Sequence, residues 1–163
     1  MWAVVNGRDF LGDDLPPEIL VRVVRGGFYG WPFCYGNRVP DPSLGAPERC
    51  RTMVAPALEM QAHSAPLGVA FYRAAAFPGH YRGGLFVAFH GSWNRTTPTG
   101  YKVVYVPFRG GEPAGPAEDF ATGWLEPGGS AWGRPVDPVV APDGSLYLTD
   151  DASGGIYRFR YAP

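Results

Sequence analysis

Three Asp and one Glu lie within ten residues in the string Asn6-Gly7-Arg8-Asp9-Phe10-Leu11-Gly12-Asp13-Asp14-Leu15-Pro16-Pro17-Glu18. A Gly-rich turn of this kind offers carboxylate and main-chain carbonyl oxygens together, a donor set that suits a hard cation such as calcium. The spacing is not that of an EF-hand, and a solvated acidic loop is the alternative. A second group, His90-Gly91-Ser92-Trp93-Asn94-Arg95, combines imidazole, indole and guanidinium directly after an apolar run. That combination suits a planar or anionic ligand. Arg134, in Gly133-Arg134-Pro135, could hold a carboxylate through two parallel N–H bonds. For both Arg95 and Arg134 a surface salt bridge is the plainer alternative. His63, in Ala62-His63-Ser64-Ala65-Pro66, is either a hydrogen-bonded structural group or a base. Cys34 and Cys50 read as a disulfide, with two buried thiols as the alternative. A disulfide implies maturation in an oxidising compartment. With three scattered His and two Cys, no C-x-x-C or H-x-x-x-H spacing for zinc occurs. The sequence also lacks a G-x-S-x-G elbow, a P-loop and a dinucleotide fingerprint.

These residues need a scaffold, and composition indicates its class. Of 163 residues 23 are Gly and 18 are Pro, a share that without other signals suggests low complexity. A hydrophobic content of 45% with only 18% charged residues points instead to a folded chain rich in tight turns, an all-β protein. Short apolar or alternating runs bounded by turn residues predict strands at Trp2–Val5, Leu67–Tyr72, Leu85–Phe89, Tyr101–Phe108, Val136–Val140, Ser145–Thr149 and Ile156–Tyr161. Residues 16–24 (PPEILVRVV) fit a short helix or a strand equally.

Two stretches match. APLGVAFY…GGLFVAFHGSWNR…YKVVYVPF…DFATGW pairs with RPVDPVVAPDGSLYLTDD…GGIYRFRY, so that Leu85 and Leu146 are equivalent and the period is about 60 residues. A repeating module of about four antiparallel strands marks a β-propeller, with a β-sandwich as the alternative. Asn6-Gly7, His90-Gly91 and Asp150-Asp151 then fall at equivalent strand ends around one mouth of the channel. The chain divides into residues 1–62 (the end of a blade plus a long loop insertion), 63–126 (one full blade) and 127–163 (a last blade without its outer strand). That is about two and a half blades where a closed ring needs four to eight, so the chain is expected to be a C-terminal piece of a longer protein.

Charge and hydropathy exclude several partners. The net charge is −1 and basic residues form no stripe, which argues against nucleic acid. No apolar run reaches the ~20 residues of a membrane-spanning helix, and Met1–Asp9 has no signal-peptide character. A C-x-x-C-H haem motif is absent.

The strings NGRDFLGDDLPPE…GGFYGWPFCYG, AHSAPLGVAFY, YRGGLFVAFHGSWNR, GYKVVYVPF and GRPVDPVVAPDGSLYLTDD resemble the glucose/sorbosone dehydrogenase family over nearly the whole chain. Its members are soluble, pyrroloquinoline-quinone-dependent enzymes built as six-bladed β-propellers. The resemblance implies oxidation of a sugar or related aldehyde by hydride transfer to the quinone, with an external electron acceptor. It also implies a periplasmic or secreted location and a possible homo-oligomer. Calcium would rest on the carbonyls of Gly7 and Arg8, in the loop that carries Asp13 and Asp14. Quinone contacts would come from Arg134, from His90 or Arg95, and from the neighbourhood of His63. The family's general base, a His of its N-terminal half, has no counterpart here, so the isolated chain is expected to be inactive. The alternative is a non-catalytic propeller fragment that binds a carbohydrate or a protein.

Overall fold

Runs bounded by Gly and Pro form short antiparallel strands throughout the computed structural model, which describes residues 1–162. The first two are β1 (Trp2–Val5) and β2 (Glu18–Arg22), paired with Trp2 opposite Arg22 and Val5 opposite Ile19. The ambiguous segment at residues 16–24 is thus a strand, for a packing reason. Leu20 packs with Met60, Leu85 and Val87, whereas Ile19 and Val21 pack on the opposite side with Cys34, Cys50 and Met53. Alternate residues of a strand reach both layers, which a helix of that length could not do.

A small excursion follows. The hairpin β3 (Cys34–Tyr35) and β4 (Val39–Pro40) leads to helix α1 (Pro47–Thr52), then to β5 (Leu58–Met60), which pairs with β2. Pro at the helix start, Glu48 in its first turn and Arg49 and Arg51 in its last complement the helix dipole. Cys34 and Cys50 are joined in a disulfide with Cα atoms 5.6 Å apart, which fastens α1 to the hairpin.

The second sheet has four strands in the order β11-β8-β7-β6: β6 (Pro66–Phe71), β7 (Leu85–Phe89), β8 (Lys102–Val106) and β11 (Glu118–Ala121). Between β8 and β11 lies a short hairpin, β9 (Phe108–Arg109) with β10 (Glu112–Pro113). The third sheet is β12 (Pro135–Val140), β13 (Leu146–Asp150) and β14 (Ile156–Phe159). Leu85 and Leu146 each open the second strand of their sheet, and both are fully buried.

All five residues of β7 are buried, because both faces of its sheet are covered. Leu85, Val87 and Phe89 face the first sheet, with Leu20 and Met60; Phe86 and Ala88 face the third, with Leu146 and Leu148. The period of two distributes one strand between two cores. Tyr72, wholly buried, donates its hydroxyl to the carbonyl of Gly144 at 2.8 Å and so ties the second sheet to a turn of the third. Successive sheets packed face to face are a portion of a β-propeller.

Candidate functional site

The first-to-second-strand topology brings the loops after β1, β7 and β13 to one side of the molecule. His90, just past β7, bonds through Nε2 to Asp151 Oδ1, just past β13, at 2.9 Å. The equivalent strand ends of two sheets therefore meet. Asn6, just past β1, donates from Nδ2 to the carbonyl of Pro66 at the start of β6 at 3.3 Å.

Glu18 is the most enclosed ionisable group here. Its side chain accepts from the backbone N–H of Gly7 at 2.6 Å and from that of Ala65 at 3.0 Å, which joins the loop after β1 to the strand β6. Burial pushes its carboxyl above the ordinary 4.5, and the two N–H groups only partly offset this. The α-carbon of Gly7 packs so tightly on the ring of Pro16 that a side chain there would overlap Pro16 Cγ.

His63 and Ala65, on either side of Ser64, both have left-handed backbone (φ 63° and 52°). His63 Nε2 lies 2.8 Å from the carbonyl of Gly12, so that nitrogen carries the proton and a neutral ring keeps its lone pair on Nδ1. Nδ1 is 3.9 Å from Asp9 Oδ1, too far for a hydrogen bond, and that oxygen accepts from Asn94 Nδ2 at 2.7 Å. A recess of about 150 Å³ opens among Asn6, Asp9, His63, Trp93 and Asn94.

Asp13 and Asp14 reach the loop after β7. Asp13 Oδ1 accepts from Thr96 N at 3.0 Å and from its hydroxyl at 3.3 Å, and the backbone N–H of Thr96 is the main reason its carboxyl stays below the usual range. Asp14 pairs with Arg95 at 3.1 Å. Arg95 is also bonded to the carbonyl of Ala62 at 3.4 Å, while its buried Nε has no partner within the described residues. Arg8 turns the other way, to the nearly inaccessible Asp41 at 2.7 Å. Burial pushes the Asp41 carboxyl up, but the N–H groups of Ser43 and Leu44 and the Arg8 guanidinium outweigh it and hold it low.

Arg134 reaches β7's exit loop rather than open solvent. Nη2 donates to the carbonyl of Gly91 at 2.8 Å and to that of Ser92 at 3.3 Å, and Nε donates to that of His90 at 3.3 Å. Its guanidinium lies 5.2 Å from the centre of the Tyr101 ring, whose hydroxyl donates to the carbonyl of Ser92. Nη1 makes no hydrogen bond among the described residues. Arg134, Arg95, Tyr101 and Trp93 line a cleft of about 430 Å³.

The cleft's size lies within the range of small-molecule sites, and two guanidiniums beside two aromatic rings suit a planar anion. The fit for a metal is narrower. Among the described residues no three His, Cys, Asp or Glu side chains converge on one point, so carboxylates alone build no cage. Sequence reasoning put forward His63, His90, Arg95 and Arg134 as quinone contacts, counted Glu18 only as one carboxylate of the acidic loop, and did not identify its bridging role or that of Tyr101. The one signal for Glu18 was its place at the start of an apolar run, where a charged residue needs a partner. Tyr101 carried none.

A family model described as TrAA12-like matches residues 39–162. A Borreliella burgdorferi protein described only as uncharacterised is 39% identical over 159 residues, spanning 96% of this chain and 42% of that protein. A pyrroloquinoline quinone-dependent pyranose dehydrogenase of Coprinopsis cinerea is 30% identical over 183 residues, spanning 90% of this chain and 23% of that protein. The calcium structure of the Trichoderma reesei carbohydrate-active enzyme of family AA12 superposes with a TM-score of 0.75 at 25% identity, over 96% of this chain and 47% of that one. The chain thus spans less than half the length of these relatives.

Proposed function

Because this chain belongs to the TrAA12-like family, we propose that it is the part of a quinone-dependent sugar dehydrogenase that holds pyrroloquinoline quinone and its calcium. In this reading residues 1–62 are the end of one blade with a long loop insertion, 63–126 one full blade, and 127–163, of which 163 lies outside the described residues, a last blade without its outer strand. The observation that carries it is the cleft between the β7–β8 loop and the segment leading into β12, where Arg95 and Arg134 stand beside Tyr101. When bound, the quinone supplies a two-electron acceptor for hydride from a sugar's hydroxyl-bearing carbon, and calcium a Lewis acid beside it.

This chain's own residues do the holding. Arg134 keeps the exit loop of β7 in place through three carbonyls and retains Nη1 for an anionic oxygen. Arg95, steadied by Asp14, lines the same cleft with its guanidinium. His90, whose Nε2 is bonded to Asp151, is the further quinone contact of this reading. The carbonyls of Gly7 and Arg8 would hold calcium, while Asp13 and Asp14 fasten the loop that carries them to residues 95 and 96. His63 braces that loop from below through the carbonyl of Gly12. A sugar or aldehyde is the substrate class, and electrons leave to an external acceptor. The Cys34–Cys50 disulfide supports an oxidising location, the periplasm or the cell exterior.

The test is calorimetric titration of the chain with pyrroloquinoline quinone, with and without calcium, beside dye reduction with aldoses. Calcium-dependent quinone binding without turnover is expected, since the family's general base has no counterpart here. Binding should weaken about tenfold or more in Arg134→Ala, in line with loss of a charge-assisted bond. A second reading, a propeller segment that binds carbohydrate without quinone, is favoured by the internal engagement of both guanidiniums. Absence of quinone binding in the presence of calcium selects it.

A further inference from the structure

Two large aromatic side chains stand out on the mouth: Phe10, which the holding of quinone and calcium does not use, and Trp93, which edges the quinone cleft. Phe10 is 77% and Trp93 68% exposed, yet their rings touch edge to face, with centroids 5.7 Å apart and planes at 83°. Phe10 also has left-handed backbone (φ 68°), a conformation that bulky residues rarely adopt. Water-facing aromatic surface and a strained bulky residue are both costs to the folded chain, and together they point to a ligand.

The backbone beneath them is fixed from both sides. Asp9, next to Phe10, accepts from Asn94, next to Trp93, at 2.7 Å. Further along the two loops, Asp13 is bonded to Thr96 and Asp14 to Arg95. Three side-chain links therefore clip the loop after β1 to the loop after β7. The rings stand on a rigid base without being buried in it, as a preformed site requires.

We infer that Phe10 and Trp93 form the platform on which the pyranose ring of a neutral sugar rests while its reacting carbon faces the neighbouring cleft. The chemistry selects this occupant. A pyranose presents a face of C–H groups, which suits an aromatic ring, and a rim of hydroxyls, which suits planar polar groups. Asp9, half-exposed, and Asn94 supply that rim beside the rings, and Asn6 lines the same recess. A flat quinone would need parallel surfaces above and below it. Rings at 83° form a corner instead, which receives a puckered ring against one face and its edge against the other. Trp93 lines both the 150 Å³ recess and the 430 Å³ cleft, so an object on it lies next to the two guanidiniums.

The inference rests on the cleft being the oxidation site, and the experiment separates the two. D-glucose and cellobiose are titrated onto the full chain by ligand-observed NMR, with and without pyrroloquinoline quinone and calcium. Phe10→Ala, Trp93→Ala and Trp93→Phe are compared, and quinone affinity is measured in parallel by calorimetry. Saturable sugar binding is expected in the unsubstituted chain, weakened about tenfold in each Ala variant and largely restored in Trp93→Phe. Quinone affinity should change less than twofold in Phe10→Ala, since Phe10 lies outside the quinone cleft. Sugar binding that persists in the Phe10→Ala/Trp93→Ala double variant, or that is absent from the unsubstituted chain at 100-millimolar order, overturns the platform. So does a loss of quinone affinity in Phe10→Ala that matches its loss of sugar, since the ring would then belong to the quinone. Sugar binding through these rings in a chain that takes up no quinone would support the platform while rejecting the quinone reading.

Discussion

Replacing Glu18 should loosen the site and the fold together. In Glu18→Ala the backbone N–H groups of Gly7 and Ala65, now bonded at 2.6 and 3.0 Å, lose their acceptor in a place where Glu18 itself is 2% exposed. A buried donor left without a partner costs about 1–3 kcal/mol, so two cost about 2–4 kcal/mol after relief of the buried charge. For a chain of this length that lowers Tm by roughly 4–16 °C. Glu18→Gln keeps one acceptor oxygen but turns its amide toward the second N–H, for a loss of about 1–3 kcal/mol. The pH dependence is a separate readout. Burial raises the folded pKa of Glu18 above 4.5, so the native chain takes up this proton at a higher pH than the unfolded chain. The contribution to stability is therefore fully present below 4.5 and is lost as pH rises through the folded value. The wild-type advantage over Glu18→Gln should accordingly shrink as pH rises above 4.5. Urea unfolding followed by tryptophan fluorescence measures both effects, and amide exchange at Gly7 and Ala65 localises them. A Glu18→Ala variant within about 0.5 kcal/mol of wild type, with unchanged protection at both amides, would refute the bridging role.

Reduction of Cys34–Cys50, or Cys50→Ser, should cost about 3 kcal/mol, the entropy of closing a loop with sequence separation 16, seen as a lower urea midpoint. Arg134→Lys should fail to hold the carbonyls of His90, Gly91 and Ser92 at once, since one ammonium cannot reproduce the guanidinium fork; faster exchange in residues 90–93 would report it. The Ser145 side chain and N–H, with Arg158, hold the Asp143 carboxyl down at about 2. Its contribution to stability is present above the ordinary 3.8 and lost as pH falls toward 2, so Asp143→Asn should flatten the acid limb of the unfolding curve in that window.

The strands were legible because turn residues bracket them and their apolar positions alternate. Leu85–Phe89 has the same ends in sequence and structure, and Leu67–Tyr72 differs by one residue from Pro66–Phe71. The propeller followed from the repeat. The short helix Pro47–Thr52 was not legible, since six residues complete too few turns to show a period, and the three-residue β5 shows no alternation. At the site, residue types indicated the right neighbourhood but not the partners. Nothing near Arg134 in the sequence announces three carbonyls from a loop more than forty positions away, and Glu18 gains its role only when Ala65 is folded against it.

The two-sided burial of β7 has a consequence for how the molecule comes apart. Its odd residues belong to one intersheet core and its even residues to the other, so the chain resembles a linear array with nearest-neighbour coupling in which the middle unit carries both couplings. Pairing within each sheet joins mostly successive strands, so each unit can zip locally while cooperativity travels through the middle. Opening should begin in the outer units and reach Phe86 and Val87 last. A cavity made there, as in Phe86→Ala, would turn one unfolding transition into two.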